Sequence, residues 1–395
     1  MKMDTLVHSF EKYFNKNHEQ RFFAPGRINL IGEHTDYNGG NVFPLAITCG
    51  TYVLARKRED RLIRMISLNF EEMGVLECSL DSLRFDSENN WTNYPIGITK
   101  FLIDSGHSVQ SGFDVLYYGN IPNGAGLSSS ASIEMATGVM IQSMFKLEIE
   151  RIELIKLCQK VENDFIGVNS GIMDQFAIGM GKEGHAIWFN CDTLDYEYAP
   201  LELVNEKIVI MNTNKRRELA SSKYNERREE CEQALKHIQQ VLPVQSLGEV
   251  SMEDFSTIKE AIKDPILLKR ATHVISENDR TKKALQYLKA DDLKAVGELM
   301  NESHRSLKEE YEVTGKELDT LVEFAWKQDG VIGARMTGAG FGGCAIAIVK
   351  IQEIPAFIEK AGEHYAKECG LEATFYTADV GEGACEITNK ESLII

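Results

Sequence analysis

The sequence predicts an α+β fold arranged in two lobes. The chain has 395 residues and 43% hydrophobic content, and a chain of that length usually forms more than one core. Strand-like and helix-like stretches are mixed in the first half, whereas the second half is mainly helical with strands near its end. We therefore predict an N-terminal lobe at residues 1–195 and a C-terminal lobe at residues 196–395.

The first half contains both kinds of periodicity. Its strand-like runs are TYVLARK (51–57), LIRMISL (62–68) and GFDVLYYG (112–119). Apolar residues recur at helical spacing from Ile133 to Met144, and IELIKLCQKVENDF (152–165) predicts a second helix.

The second half begins with a strand and continues as helix. KIVIMN (207–212) has a continuous apolar core, and residues 223–330 are mostly amphipathic helix with polar breaks near 265 and 290. GCAIAIV (343–349) and ATFYTADV (373–380) predict late strands on either side of a helix at about 354–369.

Composition excludes several classes of protein. A net charge of −17 disfavours a passive nucleic-acid or anionic-membrane surface. The N-terminus is polar where a secretory signal needs an apolar run, and no stretch approaches the roughly 20 apolar residues of a membrane span. The eight cysteines include no C-x-x-C pair and are expected to be reduced thiols. We expect a cytoplasmic monomer.

A glycine-serine loop, PNGAGLSSSASIE (122–134), follows a strand and opens a helix. Glycines allow close backbone approach, a helix start presents unpaired N–H groups, and Ser128–Ser130 add hydroxyls, so the loop is suited to phosphate. It is neither a Walker A loop nor a dinucleotide fingerprint, because no Gly-Lys-Ser/Thr follows and Ser129 replaces the third glycine. A serine-capped helix after a tight turn is the alternative.

A second glycine-rich stretch, MTGAGFGG (336–343), matches G-x-G-x-x-G but lacks its context. The dinucleotide motif needs a strand before it and a helix after it, whereas here a strand-like run follows. We reject NAD binding. A glycine turn that leads into a buried strand is one expectation, and the density of glycines also suggests close approach of the backbone to another segment or to a ligand.

Three charged residues are candidates for catalysis. Asp174 lies in an apolar setting and is either a base or orienting group for a hydroxyl, or a first-turn helix acid. Glu162 could bind magnesium, which prefers one or two carboxylates plus phosphate oxygens, or could be an exposed helix acid. Arg27 could stabilise a transferring phosphoryl group or form a structural ion pair.

The polar stretch GEHTDYNGG (32–40) is a candidate ligand site. Glu33, His34 and Asp36 fit no standard metal spacing, and an EF-hand beginning at Asp36 would have Asn41 and Ile47 at its sixth and twelfth positions. Carboxylates can accept hydrogen bonds from sugar hydroxyls, and imidazole can donate or accept. We therefore favour recognition of a polyhydroxylated ligand over a simple turn with capping side chains.

Together these stretches resemble the galactokinase family of the GHMP kinase superfamily. GRINLIGEHTDYNGGNVFPLAI (26–47) is similar to the family signature, PNGAGLSSSAS (122–132) to the phosphate loop, and MTGAGFGGC (336–344) to the third motif. Further similar stretches are WTNYPIG (91–97), SGIMDQF (170–176), SSKYNERREEC (221–231), VISENDR (274–280) and NESHRSL (301–307).

The resemblance implies a GHMP kinase fold with a central cleft. Its N-terminal lobe would be similar to ribosomal protein S5 domain 2, and its C-terminal lobe would be ferredoxin-like with extra helices. The implied reaction is ATP-dependent phosphorylation of the C1 hydroxyl of α-D-galactose, with Mg²⁺ as the metal. Galactose and ATP would be the partners.

The resemblance also assigns roles. Asp174 would accept or orient the C1 hydroxyl proton, and Arg27 would stabilise the phosphoryl group and keep Asp174 ionised. Ser130 and Glu162 would bind Mg²⁺. The sugar contacts would be Glu33, His34, Asp36, Gly171, Asp174 and Tyr224. The phosphates would lie against Gly124, Ala125, Gly126, Leu127, Ser128, Ser129 and Ser130, with Trp91 near the adenine.

One local departure and two alternatives remain. NTNKRREL follows the strand at 207–212 where many galactokinases have a histidine, so we expect a loop variant in which any role of Arg216 and Arg217 is open. A kinase acting on N-acetylgalactosamine or arabinose is the first alternative. A non-catalytic galactose/ATP sensor is the second, although such proteins lack the Ser-Ala pair that is present here as Ser130-Ala131.

Overall fold

The computed structural model describes residues 2–122, 126–168, 170–215 and 220–388. Gly124 and Ala125 of the predicted phosphate loop, and Arg216 and Arg217 of the variant loop, lie outside the described residues.

Strands in the described residues form three sheets. They are β1 Gln20–Asn29, β2 Asn41–Val42, β3 Pro44–Lys57, β4 Leu62–Ser67, β5 Leu76–Ser79, β6 Phe113–Gly119, β7 His185–Asn190, β8 Tyr196–Pro200, β9 Glu206–Asn212, β10 Val331–Thr337, β11 Cys344–Lys350, β12 Thr374–Ala378 and β13 Cys385–Glu386.

Helices of the described residues occur in both halves of the chain. They are α1 Met3–Phe14, α2 Asn93–Asp104, α3 Ser129–Phe145, α4 Arg151–Lys160, α5 Met173–Met180, α6 Ala220–Ile238, α7 Met252–Ile258, α8 Pro265–Lys289, α9 Leu293–Ser306, α10 Gly315–Ala325 and α11 Ile354–Cys369. Short π-helical segments continue α4 over Val161–Ile166 and α9 over Leu307–Tyr311.

The first sheet has the strand order β13-β1-β3-β6-β4-β5, with only the β4–β6 pair parallel among its pairings. Successive side chains of a strand point to opposite faces. Phe22 and Val53 accordingly face the core formed with α2–α5, whereas Phe23 and Leu54 face α1. This sheet is therefore covered on both faces.

The second sheet has the antiparallel order β10-β11-β9-β12. One face, which includes Val209 and Ala347, packs on the helices of the second half. The other face, which includes Ile210 and Ile346, packs in the same cluster as Leu45 from β3. This shared apolar cluster holds the two halves of the chain together.

The third sheet, β2-β7-β8, lies next to the expected lobe boundary. Residues 195 and 196 fall at the turn of the β7–β8 hairpin, and β13 returns from the end of the chain to pair with β1. The proposed division of the chain stays a prediction.

The strands and helices that periodicity indicated are all present, but β1 was not among the predicted strands. Its pairing with β3 shifts register between Pro25 and Gly26, and these two residues interrupt the apolar pattern. A Cβ on Gly26 would lie 2.8 Å from the carbonyl oxygen of Leu127, so the close approach of the phosphate loop requires glycine there.

Two further observations concern the described residues. Among their helices, none is both long and apolar enough to cross a bilayer. All eight cysteines lie in the described ranges and form no disulfide.

Candidate active site

A cavity of about 580 Å³ lies where the two halves meet. The predicted catalytic and sugar-contacting residues all line it: Arg27, Glu33, His34, Asp36, Gly171, Asp174 and Tyr224. The third glycine motif contributes Gly338 and Ala339. The structure thus brings these residues together, while the role of each stays a prediction.

Arg27 and Asp174 form a two-pronged ion pair at this cavity. Arg27 Nε is 2.7 Å from Asp174 Oδ1, and Nη2 is 2.8 Å from Oδ2. Strand β1 supplies the arginine, which is buried, and the first turn of α5 supplies the aspartate, whose side chain is 28% exposed. Burial would lower the pKa of Arg27, but Asp174 and other nearby carboxylates hold it above its usual value. The Asp174 carboxylate is therefore paired with the Arg27 guanidinium and still partly exposed to the cavity.

The described end of the phosphate loop is bound to the same pair. Arg27 Nη1 donates to the carbonyl oxygen of Gly126 at 2.7 Å, and the backbone N–H of Arg27 donates to Leu127 at 3.1 Å. Ser128, which precedes α3, has the left-handed φ of 62° and donates its hydroxyl to Asp174 Oδ2. It makes no side-chain capping bond, so a simple serine cap is wrong for Ser128.

Glu33 is fixed by the third glycine motif. Its Oε1 accepts from the Gly338 backbone N–H at 2.7 Å, from Thr337 Oγ1 at 3.2 Å and from Arg335 Nη1 at 3.4 Å. The described residues provide no hydrogen bond to Oε2 of this side chain. Close approach of the 336–343 glycine loop to another segment, one of the two expectations for it, is therefore confirmed.

Helix α8 anchors the Gly32–Glu33 backbone through residues to which no sequence motif assigned a role. Glu277 Oε1 accepts from the Gly32 N–H at 2.8 Å, and His273 Nε2 lies 3.1 Å from the Glu33 carbonyl oxygen. Burial would raise the pKa of Glu277, but Arg280 and other cationic neighbours hold it at about 2. The only signal for Glu277 was its place in VISENDR, a stretch of family resemblance without an assigned role.

Burial shifts the pKa values of His34 and Asp36 in opposite directions. Burial, with His273 nearby, lowers the pKa of His34 to about 3, so its ring is neutral. Loss of solvent, together with Glu33, raises the pKa of Asp36 to about 6. A Cβ on Gly171 would lie only 3.1 Å from Asp36 Oδ2, so this glycine leaves room for the carboxylate.

Tyr224 adds an aromatic wall to the cavity. It lies on α6, and its ring centroid is 5.7 Å from that of His34 and 5.2 Å from that of Tyr37. The second half of the chain thus covers the loop that carries Glu33, His34 and Asp36.

Glu162 lies in the π-helical segment after α4 and is only 7% exposed, so the expectation of an exposed helix acid is wrong. Its Oε2 accepts from Ser170 Oγ and from Gln175 Nε2, each at 2.7 Å. Gln175 also donates to Glu134, whose burial raises its pKa well above the usual value. Glu162 is therefore held by neutral donors, with no cation bound to it among the described side chains.

The described residues contain no cluster of three or more His, Cys, Asp or Glu side chains arranged as metal ligands. Magnesium does not require such a cluster, since it keeps several waters and binds through one or two carboxylates plus phosphate oxygens. The hard oxygens of Ser130 and Glu162 fit that chemistry.

A second cavity, of about 200 Å³, lies beside the start of α3. Trp91, Tyr94, Ser129 and Ser130 are among its lining residues. Trp91 Nε1 is buried and has no hydrogen-bond partner among the residues that the structure describes, so a donor there is available to a ligand. The expected position of Trp91 near the adenine stays a prediction.

Three family models match the chain. They describe a galactokinase galactose-binding signature at residues 8–57, the GHMP kinases N terminal domain at 93–182 and the GHMP kinases C terminal domain at 284–367. The first model covers β1 and the Glu33–Asp36 loop, and the second covers α3 and Asp174.

Full-length relatives are similar as well. A galactokinase of Exiguobacterium sibiricum is 58% identical, with 97% of this chain and 98% of the relative covered. A galactokinase of Fusobacterium nucleatum is 53% identical over 98% of this chain and all of the relative (100%). The crystal structure of Lactococcus lactis galactokinase complexed with galactose superposes with a TM-score of 0.93 at 51% identity, covering 98% of this chain and 100% of that one.

These similarities extend over both halves of the molecule. They confirm the resemblance seen in the motifs and the predicted α+β fold with GHMP kinase N- and C-terminal domains. The chain belongs to the galactokinase family of the GHMP kinases.

Proposed function

We propose that the chain transfers the γ-phosphoryl group of ATP to the C1 hydroxyl of α-D-galactose, giving galactose 1-phosphate and ADP. The observation that supports this most is the Arg27–Asp174 pair, which lines one cavity with Glu33, His34 and Asp36. Family membership supports the same reaction. Phosphoryl transfer needs positioning and charge stabilisation rather than covalent chemistry from the protein.

Asp174 orients the C1 hydroxyl and accepts its proton. A carboxylate offers about four acceptor positions, and in the described residues Asp174 Oδ1 receives one hydrogen bond and Oδ2 receives two. Oδ1 therefore retains a lone pair for the attacking hydroxyl. Arg27 holds this carboxylate in place through two hydrogen bonds.

Arg27 also stabilises the charge of the transferring phosphoryl group. Its guanidinium donates hydrogen bonds to Asp174 and to the Gly126 carbonyl oxygen. The positive charge therefore lies between the carboxylate that orients the attacking hydroxyl and the phosphate loop. The N-terminus of α3, at Ser129 and Ser130, offers unpaired N–H groups and a positive dipole end to the phosphates. Leu127 and Ser128 complete the described part of this cradle.

Glu33, His34, Asp36, Gly171 and Tyr224 recognise the sugar. The carboxylates accept from hydroxyl groups, and the anchored backbone of the loop fixes their directions. A wrong epimer leaves buried polar atoms unpaired, which is a strong basis for discrimination.

Ser130 and Glu162 would hold the magnesium ion that accompanies ATP. When bound, Mg²⁺ neutralises charge on the phosphate oxygens. Ser170 and Gln175 occupy Oε2 of Glu162 and thereby orient its other oxygen. Trp91 contributes to the site of the adenine base, within the smaller cavity.

ADP release across a panel of sugars tests the substrate. Galactose is expected to be turned over with a higher kcat/KM than N-acetylgalactosamine, arabinose or glucose. Equal turnover of N-acetylgalactosamine would assign a related sugar kinase instead. Binding of galactose and ATP without turnover would assign a sensor.

We further propose that the enzyme acts as a cytoplasmic monomer. Its acidic composition and its cysteines, which form no disulfide in the described residues, are typical of reduced cytosolic proteins. Light scattering of the purified protein, with an expected mass near 44.4 kDa, tests the oligomeric state.

A further inference from the structure

The outer edge of strand β10 is hydrogen-bonded to side chains instead of to another strand. In the sheet formed by the described residues, β10 pairs with β11 on one side only. On its other side the N–H of Ala334 donates to Asn301 Oδ1 at 2.9 Å, and the N–H of Met336 donates to His304 Nδ1 at 3.1 Å. Asn301 and His304, which we call the edge clamp, lie on α9 within NESHRSL (301–307), a motif without an assigned role.

The spacing of residues on the two elements makes this pairing possible. Residues three apart on a helix lie on one face, and residues two apart on a strand direct their N–H groups to the same edge. The backbones also approach closely: a Cβ on Gly297 of α9 would lie 2.2 Å from the Ile332 carbonyl oxygen, and a Cβ on Gly333 of β10 would lie 2.5 Å from Gly297 Cα. Any larger residue at either position would push the helix and the strand apart, so the two glycines allow α9 to lie against the edge of β10.

The hydrogen bond from Met336 fixes the protonation of His304. A backbone N–H can only donate, so Nδ1 of His304 accepts and carries no proton. The ring proton is therefore on Nε2, which lies 3.3 Å from Asp319 Oδ1 in a geometry less favourable than that of a full hydrogen bond. His304 is fully buried, and burial lowers its pKa, in agreement with a neutral ring.

Strand β10 also carries the donors that bind Glu33 of the cavity. Arg335 Nη1 lies 3.4 Å from Glu33 Oε1, and the Thr337 hydroxyl and the Gly338 N–H donate to the same oxygen at 3.2 Å and 2.7 Å. The backbone groups that bind the edge clamp therefore alternate along the strand with the donors that bind Glu33. A shift of β10 relative to α9 would move these donors together.

The position of the Glu33 carboxylate depends on these contacts. The side chains of Arg335 and Glu33 are 0% and 4% exposed, and a buried ion pair is favourable only when its geometry is good. All three donors bind Oε1, and the described residues provide none to Oε2. Oε2 is therefore left for a ligand, and its direction is set from β10.

We propose that Asn301 and His304 are positioning residues for the sugar: they fix the outer edge of β10, which holds its donors against Oε1 of Glu33 and keeps Oε2 directed at a hydroxyl group of the bound sugar. The sugar part of this inference rests on the proposed function, whereas the edge clamp itself does not. Neither residue of the clamp lines the cavity, so the clamp acts on the ligand through Glu33.

Steady-state kinetics of paired His304 variants tests the proposal. His304→Phe keeps a ring but has no acceptor for the Met336 N–H, whereas in His304→Asn the amide oxygen can take the place of Nδ1. We expect His304→Phe to raise the KM for galactose about 5- to 30-fold and His304→Asn to stay within about threefold of the wild type. The kcat and the KM for ATP should change less than about threefold in both, because Arg27 and Asp174 are untouched.

Asn301 provides a second pair of variants. Its side chain is only partly buried, so its variants should fold even if His304→Phe does not. Asn301→Asp keeps an oxygen acceptor for the Ala334 N–H and should have a KM for galactose near the wild-type value. Asn301→Leu lacks this acceptor and should raise the KM in the same direction as His304→Phe.

Hydrogen exchange and NMR of the free protein report on the clamp without any substrate. The Met336 N–H is expected to exchange slowly in the wild type and in His304→Asn, and faster in His304→Phe. Histidine nitrogen NMR, with signals assigned by comparison with His304→Asn, should show a pyridine-type shift at Nδ1 and a pyrrole-type shift at Nε2 of His304.

Tyr365→Phe is the matched control, because it also breaks one buried hydrogen bond between a side chain and the backbone. The Tyr365 hydroxyl donates to the Thr213 carbonyl oxygen at 2.8 Å, and neither residue lines the cavity. This control should lose stability without changing the KM for galactose or the exchange of the Met336 N–H.

A KM for galactose near the wild-type value in both His304→Phe and Asn301→Leu would overturn the proposal. So would failure of His304→Asn and Asn301→Asp to restore the KM, or a His304 ring protonated at Nδ1. If the wild-type protein does not bind galactose, the proposed function fails and the sugar part with it. The exchange and NMR results of the free protein would then still be as predicted, so the two failures are distinguishable.

Discussion

The guanidinium of Arg27 binds both carboxylate oxygens of Asp174, at 2.7 Å and 2.8 Å, across a sequence separation of 147 residues. Strand β1 fixes one partner and helix α5 fixes the other, so the geometry is formed by the fold before any ligand arrives. Arg27 also holds the Gly126 carbonyl, which ties the phosphate loop to the same pair. Preorganisation of this kind is what phosphoryl transfer requires from a protein.

Asp174→Asn is expected to lower kcat by about 10²- to 10⁴-fold, because the amide cannot accept the hydroxyl proton. Galactose should still bind, since Glu33, His34 and Asp36 are unaffected. ADP release measures the first effect and calorimetry the second. Asp114→Asn is the control, because Asp114 is also paired with arginines but does not line the cavity. A kcat near the wild-type value in Asp174→Asn would contradict the role of Asp174.

Gly171→Ala is expected to raise the KM for galactose about tenfold with a smaller change in kcat. The added Cβ would lie 3.1 Å from Asp36 Oδ2 and displace that carboxylate by a few tenths of an ångström, and small misplacements weaken hydrogen bonds to substrate. Steady-state kinetics provides the measurement. Gly362→Ala in α11 is the control and should leave the KM for galactose unchanged, because the nearest atom to its added Cβ is 3.5 Å away. Equal KM values in Gly171→Ala and Gly362→Ala would argue against this role of Gly171.

Galactose affinity is expected to fall as the pH decreases through about 6. Burial and the neighbouring Glu33 raise the pKa of Asp36 to about 6, so this carboxyl is ionised above that pH and protonated below it. Since the ionised form accepts from sugar hydroxyls, the dissociation constant should rise about tenfold per pH unit below 6. Because the pKa of His34 is about 3, the imidazole stays neutral throughout this range.

Asp36→Asn checks the assignment of this pH dependence. The amide does not titrate, so the variant should bind galactose more weakly at pH 7 and show a flat profile between pH 5 and 7. Calorimetric titrations at several pH values give the profile. Persistence of the wild-type step in the variant would assign the transition to another group.

Glu162→Gln is expected to weaken the apparent affinity for Mg²⁺ in the presence of ATP about 10- to 100-fold, because a charged oxygen ligand is lost. Binding of a non-hydrolysable ATP analogue, followed while Mg²⁺ is titrated, reports this directly. Glu134→Gln is the matched control, since burial raises the pKa of Glu134 and already disfavours its charged form. Similar magnesium dependence in both variants rules out Glu162 as the ligand.

The sequence was sufficient to predict elements whose residues are buried on every side. KIVIMN and GCAIAIV became the neighbouring strands β9 and β11, because continuous apolar runs indicate strands covered on both faces. Strand β1 was not predicted, since Pro25 and Gly26 interrupt its pattern at the point where the phosphate loop approaches. The glycine is required by the close approach of the Leu127 carbonyl oxygen and not by the pairing of the strands.

The sequence was less informative about residues that act from the far half of the chain. Glu277 lies on a long amphipathic helix, where periodicity gives no reason to distinguish a buried acid from a solvated one, yet it binds the Gly32 backbone. Tyr311 is likewise buried by contacts that only the tertiary structure creates. Such residues are identified by packing and by partners distant in sequence, which no local pattern contains.

Phosphorus and proton NMR of the product formed from galactose and ATP tests the central claim most directly. The expected result is a single phosphate ester at C1 of the α-anomer, with one ADP for each ester formed. An ester at another hydroxyl group would contradict the proposed position of the sugar against Asp174. Release of ADP without any sugar ester would contradict galactose as the phosphoryl acceptor.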